Sequence, residues 1–309
     1  MHQASSIGQG LRRVFPEVGI TLVTVKTRGD KILDSPLSMV GGKGLFVKEI
    51  EEALLAGQVD MAVHSVKDVP AEMLPGLTIS AIPERQDPRD VLISRRDTAL
   101  AGLPFGAKVG TSSLRRRAQL LGLRKDLRIV PIRGNVDTRI RKLERGELDA
   151  IVLAAAAVQR LGLEARVAEY FSEEDLVPAV GQGALAVETR VGDKAVEEMV
   201  QALDHADSRL CVEAERTFMM RLGGGCQVPV GACAIKDGAE LELRGMVATL
   251  DGDVILRERL RGPASDGAKL GQVLAERIIE RGAGELLASL GIPEAGAGLA
   301  PCAPGIEPV

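Results

Sequence analysis

The chain contains very few aromatic residues: five Phe, one Tyr and no Trp among 309 residues. Its cores must therefore be aliphatic, and it lacks the stacking surfaces that binders of single-stranded nucleic acid use. No apolar run approaches the length needed to cross a membrane, and Met1-His2-Gln3 does not open a signal peptide. These absences argue against a nucleic-acid partner and against a membrane partner.

The chain is also poor in cysteine and has no excess of positive charge. The four cysteines show no CxxC spacing, which disfavours a zinc site or a disulfide framework. With 39 Lys and Arg against 43 Asp and Glu, the formal net charge is −4, so a basic cluster is a local feature of an acidic protein. We expect a cytoplasmic, reduced protein with two or three domains.

Arginines gather around two predicted strand ends. A short strand at 108–110 runs into a turn of hydroxyl residues, Thr111-Ser112-Ser113, and then into a helix that opens with Arg115, Arg116 and Arg117. Backbone N–H groups at a helix start bind anions, whereas cations there oppose the helix dipole. A second strand, at 127–132, ends in Arg133-Gly134-Asn135 before a helix that carries Arg139. This pattern predicts a polyanionic ligand at the carboxyl edge of an α/β sheet, and the alternative is a solvated basic face.

A weak internal repeat predicts two lobes of one architecture that face each other across a cleft. Residues 53–65 (ALLAGQVDMAVHS) resemble residues 142–154 (KLERGELDAIVLA), and both read as a helix, a Gly stop, an Asp and an apolar strand. The second copy begins with a strand, a turn and a helix over 109–121, whereas nothing comparable precedes Met1. The first lobe either differs or lacks its opening strand.

The rest of the sequence predicts the remaining helices and strands and the crossings between the lobes. We expect a helix over 1–15, a strand over 19–26, and crossings between the lobes at 83–90 and 178–184. A helix at 208–222, strands near 230–236, 240–249 and 253–261, and a long helix over 264–290 predict a small α+β domain. The Gly/Pro/Ala-rich end of the chain reads as a loose tail.

Three residues are candidates for chemistry, each with a plainer alternative. Cys226 follows three glycines between a helix and a strand, which suits a thiol that projects into a cleft, although a small buried side chain is the alternative. Asp68 lies just past a strand end beside Lys67, where a carboxylate stabilises a cation, although a turn aspartate before a proline is common. Lys43 has glycine on both sides, which suggests close ligand approach, although a lysine at a helix start is usually solvated.

Taken together, these motifs resemble the porphobilinogen deaminase (hydroxymethylbilane synthase) family from about Met1 to Leu290. The matching stretches are long, and they are residues 40–49 (VGGKGLFVKE), 62–70 (AVHSVKDVP), 110–116 (GTSSLRR), 133–136 (RGNV), 178–183 (PAVGQG) and 223–229 (GGGCQVP). The resemblance implies an α/β fold with two periplasmic-binding-protein-like lobes around a cleft and a small α+β C-terminal domain. The domains would be 1–84 with 184–203, 89–178, and 206–291, followed by a flexible tail over 292–309.

The resemblance further implies a transferase of tetrapyrrole biosynthesis. The family joins four porphobilinogen units head to tail with loss of ammonia, on a dipyrromethane primer that Cys226 would carry as a thioether. Asp68 would be catalytic and would stabilise the azafulvenium cation. The groups that would bind the carboxylates and the backbone of the cofactor are Lys43, Thr111, Ser112, Ser113, Arg115, Arg116, Arg133, Gly134 and Gln182. Lys67, Arg139 and Arg160 would bind substrate. A monomer that hands its product to the next pathway enzyme is expected.

The sequence departs from the family in two places. The family begins with a strand and a turn that supply an Arg and a Ser to the cleft, whereas here the resemblance starts inside the following helix. We therefore expect protein made from Met1 to fold poorly or to be nearly inactive. Met39 also stands where relatives often carry a lysine. Two other readings stay open: a two-lobed carboxylate-binding protein without catalysis, and a phosphate-handling enzyme, which lacks a P-loop here.

Overall fold

A computed structural model describes residues 2–25, 47–70, 73–223 and 228–290. The described helices of four residues or more with regular α geometry are α1 (His2–Val14), α2 (Lys48–Leu55), α3 (Leu114–Leu123), α4 (Val136–Glu144), α5 (Ala155–Arg160), α6 (Lys194–Gln201), α7 (Ala206–Arg221), α8 (Gly267–Ile278) and α9 (Gly284–Ser289). The described strands are β1 (Met61–Ser65), β2 (Leu77–Ala81), β3 (Asp90–Ser94), β4 (Lys108–Gly110), β5 (Arg128–Val130), β6 (Ala150–Ala154), β7 (Glu169–Tyr170), β8 (Leu185–Arg190), β9 (Val230–Asp237), β10 (Glu240–Ala248) and β11 (Ile255–Pro263).

The described strands form three sheets. Sheet one has the order β1-β8-β2, sheet two has the order β5-β4-β6-β3-β7, and sheet three has the order β11-β10-β9. Sheet two is mixed, with β4 parallel to β5 and β6, whereas the described strands of sheets one and three pair only antiparallel. Sheet three packs against helices that follow and precede it in the chain. The mixed α/β fold and the separate C-terminal α+β unit predicted from the sequence are confirmed.

Sheet two is covered on both faces, which explains why its central strand β6 reads as the unbroken apolar run AIVLA. Alternate residues of the run enter different cores: Val152 packs with Leu92 and Val109, while Ile151 packs with Ile93. β4 lies parallel to both β5 and β6, so the carboxyl ends of these three strands meet at one edge. That edge is where the predicted anion site lies.

Sheet one is smaller, and one predicted strand is missing from it. Residues 19–25 form no strand, and Leu22 and Val23 are 41% and 58% exposed. Within the described residues, β1 pairs only with β8, whereas the equivalent strand of the repeat, β6, has β4 on its other side. Residues 19–25 join no ladder with the described strands, and a strand requires a neighbour whose backbone groups pair with its own. The prediction for 19–26 is therefore wrong where the structure describes it.

The chain passes from sheet one to sheet two between Ala81 and Asp90, and returns between Tyr170 and Leu185. The two crossings touch: the Gln86 N–H donates to the Gly183 carbonyl at 3.1 Å. Gly183 has a φ of 86°, and a Cβ atom there would lie 2.4 Å from the Gln86 carbonyl oxygen. Only glycine fits this contact, which therefore fixes how closely the crossings approach each other.

Sheet three packs against α7 and α8 around a core that includes Phe218, Leu243 and Leu274. The three predicted strands and the helix before them are confirmed within two residues at each end. The long helix predicted over 264–290 is wrong in one respect, because it is interrupted between α8 and α9. Gly282 adopts a φ of 100° there, a left-handed conformation that no α-helix continues through.

Candidate active site

The hydroxyl turn between β4 and α3 is held by its own side chains. The Ser112 hydroxyl donates to the Ile132 carbonyl at 2.8 Å and accepts from the Ile132 N–H at 3.0 Å, so it joins this turn to the end of β5. Ser113 caps α3 by accepting from the Arg116 N–H at 3.4 Å, and Thr111 accepts from the Ser113 N–H at 3.2 Å. The hydroxyls thus shape the turn, and Ser112 remains exposed at its surface.

Arg115 and Arg116 share one buried carboxylate, that of Asp90. Arg115 Nη1 donates to Asp90 Oδ2 at 2.7 Å, and Arg116 donates to Asp90 Oδ1 through Nε at 3.0 Å and Nη2 at 2.7 Å. Both arginines also donate to backbone carbonyls, those of Val177 and Val152. Asp90 is fully buried, and the arginines are 3% and 7% exposed. Two of the three arginines that the sequence placed at this helix start, Arg115 and Arg116, therefore lie inside the protein, whereas Arg117 is exposed.

The charge on Asp90 follows from these contacts. Burial alone raises the pKa of a carboxyl group, but the charges and hydrogen bonds of Arg115 and Arg116 outweigh it and lower the pKa of Asp90 to about 2. Burial conversely lowers the pKa of Arg115, although Asp90 opposes that change. One carboxylate shared by two guanidinium groups leaves a net positive charge beneath the turn.

A carboxylate ligand fits this cluster at one specific atom. Arg115 Nε is a buried donor for which the part of the chain that the structure describes provides no hydrogen-bond acceptor. A buried cationic N–H without an acceptor is costly, and a ligand carboxylate would remove that cost. The Arg115 Nε–H group without an acceptor is thus the feature of this cluster that suits an acidic side chain of a dipyrromethane.

Gln182 lies within the cluster rather than on the cleft surface, and it is 1% exposed. Its amide donates to the Pro88 carbonyl at 2.7 Å and to Asp90 Oδ1 at 2.9 Å, and its oxygen accepts from Arg116 Nη2 at 3.3 Å. Gln182 therefore links the return crossing to the Asp90 cluster, a role that the sequence reasoning did not foresee.

Three further cations lie around the same edge, all of them partly accessible: Arg133, Arg139 and Arg160. Arg139 Nε donates to the Gly134 carbonyl at 2.8 Å, and Arg160 Nη2 donates to Gln86 Oε1 at 2.7 Å. Burial lowers the pKa of Arg139, and the nearby charge of Arg116 lowers it further. Gly134 has a φ of 103°, and a Cβ atom there would lie 2.7 Å from the Thr138 side chain.

Asp68 lies on a short 3₁₀ turn, Val66–Asp68, that follows β1 at the edge of sheet one. Val66 and Val69 are buried and anchor the turn, while Asp68 between them is exposed. The surrounding protein removes much of the bulk water and raises the pKa of Asp68, whereas the charges of Lys67 and His64 lower it. Within the described residues, no donor hydrogen-bonds the Asp68 carboxylate, so it is available to a ligand.

Lys67 brings the two edges together. Desolvation lowers the pKa of Lys67, and the charge of Asp68 raises it. The charges of Arg116 and Arg115 lower this pKa, and the charge of Asp90 raises it. The turn also packs on the return crossing, because a Cβ atom at Gly181 would lie 3.3 Å from the Lys67 backbone nitrogen. The next residue, Gln182, contacts Asp90 and Arg116. The turn from sheet one therefore lies beside the arginine cluster of sheet two, as two lobes that face each other would require.

A buried His–Glu pair lies behind the turn. His64 Nε2 is 2.9 Å from Glu188 Oε2, and both side chains are almost fully buried. Desolvation raises the pKa of the neighbouring Glu51, and the charge of Glu188 raises it further. Among the described residues, no group of three His, Cys, Asp or Glu side chains could hold a metal ion.

Sequence reasoning missed Asp90 and Glu215, although weak signals for both exist. Asp90 opens the apolar strand β3, a position at which a carboxylate is expected only if a partner is buried with it. Glu215 lies four residues after Cys211 and three before Phe218, on the buried face of α7. Both residues are 0% exposed.

Two of the proposed cofactor-binding residues, Cys226 and Lys43, lie outside the described residues, as does Met39. The described chain stops at Gly223 after α7 and resumes at Val228 before β9.

Two family models match the chain. The model described as porphobilinogen deaminase, dipyromethane cofactor binding domain, covers residues 1–198, and the model described as porphobilinogen deaminase, C-terminal domain, covers residues 209–280. Curated relatives named porphobilinogen deaminase include one from Pelobacter propionicus, 50% identical over 92% of this chain and 92% of its own length. Another, from Geobacter sulfurreducens, is 51% identical over 93% of this chain and 90% of its own length.

Solved structures give a weaker likeness. The periplasmic VFT2 domain of Bordetella pertussis BvgS is 16% identical, with a TM-score of 0.39 over 64% of this chain and 75% of that chain. A putative methionine-binding lipoprotein from Bacillus subtilis is 15% identical, with a TM-score of 0.40 over 66% of this chain and 87% of that chain. Similarity at this level adds nothing to the assignment. On the two family models and on identities of about one half over more than nine-tenths of its length, the chain belongs to the porphobilinogen deaminase family.

Proposed function

We propose that this chain is a hydroxymethylbilane synthase that joins four porphobilinogen units head to tail, with loss of ammonia, on a dipyrromethane held by Cys226. The observation that supports it best is the position of the turn that carries Lys67 and Asp68. It packs on Gly181, where a Cβ atom would lie 3.3 Å from the Lys67 backbone nitrogen, and the next residue, Gln182, contacts Asp90 and Arg116 of the arginine cluster. One side offers an accessible carboxylate, and the other offers several cations. Such a pair of surfaces suits a substrate that is a polyanion and becomes cationic at its reacting carbon.

Asp68 is the catalytic carboxylate of the proposal. When porphobilinogen loses ammonia, the resulting azafulvenium is a cation, and a carboxylate beside the pyrrole nitrogen lowers its free energy. The carboxylate of Asp68 has no competing hydrogen bond from the described residues, so it can face the pyrrole N–H group. The raised pKa of Asp68 also makes it a better proton acceptor than an ordinary aspartate when the ring regains aromaticity.

The cations divide into two sets by exposure. Four cations are partly accessible. Arg133 would bind a carboxylate of the cofactor, and Arg139, Arg160 and Lys67 would bind the acetate and propionate groups of substrate and growing chain. Arg115 would use its open Nε toward a cofactor carboxylate, while Arg116 is held by Asp90 and acts through its charge. Thr111, Ser112, Ser113 and Gly134 shape the turns that present these groups. Lys43 completes the cofactor set from the first lobe.

When bound, the dipyrromethane supplies the terminal pyrrole carbon to which the first substrate unit adds. Four additions at one site require room, and the two touching crossings near Gln86 and Gly183 are the positions at which the lobes would pivot. Gln182 then keeps the Asp90 cluster attached to the return crossing during the movement.

The finer boundaries and the cellular setting belong to the same proposal. We assign residues 1–84 with 184–203 to lobe one, 89–178 to lobe two and 206–291 to the third domain. Within the described residues, no helix is both long and apolar enough to span a bilayer. A cytoplasmic monomer that passes its product to the next enzyme of the pathway is the setting we propose.

The test is intact mass spectrometry of the purified protein beside its Cys226→Ser variant, followed by incubation with porphobilinogen. The measurement also tests the expectation that protein made from Met1 is nearly inactive. An active parent carries a dipyrromethane-sized increment that Cys226→Ser lacks, and it alone gives porphyrin absorbance after acid oxidation. A parent protein that binds porphobilinogen without any increment or porphyrin would instead be a carboxylate-binding protein. That outcome would overturn the proposal.

A further inference from the structure

The buried carboxylate of Glu215 contacts both crossings between the lobes and strand β9 of the third domain. Glu215 on α7 is 0% exposed and accepts four hydrogen bonds. Arg85 donates two of them, at 2.5 Å from Nη1 and 3.2 Å from Nη2. The Gly181 N–H donates at 2.6 Å and the Ala234 N–H at 2.7 Å. Its two oxygens are thereby satisfied, as a buried charge requires.

These donors come from three separate parts of the chain. Arg85 lies on the first crossing between the sheets, Gly181 lies on the return crossing, and Ala234 lies on β9. Arg85 strengthens the connection, because its Nε donates to the Gln182 carbonyl at 2.9 Å and its backbone N–H donates to Ser208 Oγ at 2.9 Å. Both crossings are therefore fastened to α7 at one point.

Helix α7 and strand β9, which Glu215 joins, also flank Cys226 in the sequence. α7 ends at Arg221 and β9 begins at Val230, and Cys226 lies in the short segment between them. A carboxylate on α7 that also binds the backbone of β9 holds the two ends of that segment in a fixed relation. The crossings, and hence the pivot of the lobes, are held against the same carboxylate.

We propose that Glu215 is a positioning residue, which with Arg85 keeps the pivot between the lobes in register with the third-domain elements that carry the cysteine. The inference rests on the proposed function, because it assumes a chain that grows from Cys226 into the cleft. Each addition lengthens the bound chain, so the lobes must shift without displacing the attachment point relative to Asp68. A misplacement of about 1 Å at a reacting centre costs up to about 10²-fold in rate.

The test compares Glu215→Gln with Asp126→Asn as the matched control. Asp126 likewise accepts a two-point contact from an arginine, Arg124, at 3.0 and 2.6 Å, and a backbone N–H, from Gly106 at 2.9 Å. These control contacts join residues 106, 124 and 126 in the region of sheet two, and none of them involves a residue of either crossing. Each protein receives porphobilinogen in limited amounts, and intact mass reports how many units the enzyme carries.

We expect Glu215→Gln to carry the dipyrromethane increment, to accumulate enzyme with incomplete chains, and to turn over at least tenfold more slowly at saturating substrate. Asp126→Asn should resemble the parent within twofold in both measurements. A merely structural role for Glu215 would lower the thermal midpoint without changing which intermediate accumulates. The inference would be overturned if Glu215→Gln showed the same distribution of intermediates as Asp126→Asn and the same turnover per folded molecule.

If Glu215→Gln does not fold, the paired change Arg85→Met with Glu215→Leu decides the matter, since apolar replacement of a buried ion pair is often neutral for stability. This pair lacks all four hydrogen bonds and should show the same accumulation of incomplete chains. Complete chains formed at the parental rate would refute the inference. A parent enzyme that forms no adduct at all would instead refute the proposed function, so the two failures are distinguishable.

Discussion

Replacement of Asp90 by Asn should destabilise this protein more than any comparable change at its surface. Asp90 accepts hydrogen bonds from Arg115, Arg116 and Gln182 in a site without solvent, and Asn would present an amide N–H group to donors that need an acceptor. The difference between the ordinary pKa of 3.8 and the pKa of about 2 corresponds to about 2 kcal/mol, at 1.36 kcal/mol for each tenfold change in proton affinity. Breaking a buried ion pair from one side costs about 3–5 kcal/mol.

We therefore expect Asp90→Asn to lower the free energy of unfolding by about 2 to 5 kcal/mol at neutral pH. Because the chain has no Trp and one Tyr, the assay is urea unfolding followed by far-UV circular dichroism. Asp60→Asn is the control, since Asp60 is 73% exposed and pairs with Arg190 at the surface. Surface pairs contribute about 0–1 kcal/mol, so the control should stay within that range.

The difference between parent and Asp90→Asn should also depend on pH with a definite sign. The folded-state pKa of Asp90 lies below its ordinary value, so its stabilising effect is present in full above pH 3.8. It is lost as the pH falls from 3.8 through about 2, where the folded protein takes up the proton. A free energy of unfolding within 1 kcal/mol of the parent at pH 7 would refute the reasoning, because it would mean that the three donors do not depend on this carboxylate.

Two further predictions concern activity. Asp68→Asn should fold normally yet lower the turnover of porphobilinogen by about 10²-fold or more, because the amide removes the charge that stabilises the cation; parental turnover in this variant would exclude Asp68 from catalysis. In the parent, the raised pKa of Asp68 places the acid limb of kcat/KM above pH 3.8, and a pH–rate profile measures it. Arg139→Met should raise the KM for porphobilinogen about tenfold, while Arg141→Met, an exposed change on the same helix, should leave it within twofold. Equal effects of the two changes would contradict a substrate contact at Arg139.

The arginine cluster shows how a local pattern can identify a site and still misjudge its parts. The coupling of a hydroxyl turn to arginines located the edge of sheet two, and the comparisons place the chain in a family whose matched domain binds a dipyrromethane. Arg116 is buried in the structure, and its predicted role toward the cofactor stays a prediction. Its Nε and Nη2 donate to Asp90, and its Nη1 donates to the Val152 carbonyl.

The sequence by itself determined the elements whose signals are local. Apolar runs such as AIVLA predicted buried strands, and the turns at 111–113 and 133–135 predicted the starts of two helices. The repeat of 53–65 in 142–154 predicted two facing lobes. These features depend on backbone conformation and on side chains a few residues apart. The motif at Asp68 likewise stood out because its residues are neighbours in the chain.

Only the tertiary structure decided which charges pair. Asp90 lies 26 residues from Arg116 and 92 from Gln182, and Glu215 lies 130 residues from Arg85, so no local pattern connects them. The failed strand at 19–25 has the same cause, because a strand exists only if a neighbour pairs with its backbone. Burial makes each unpaired charge or unpaired N–H group costly, and which groups are buried together is settled only when distant segments pack.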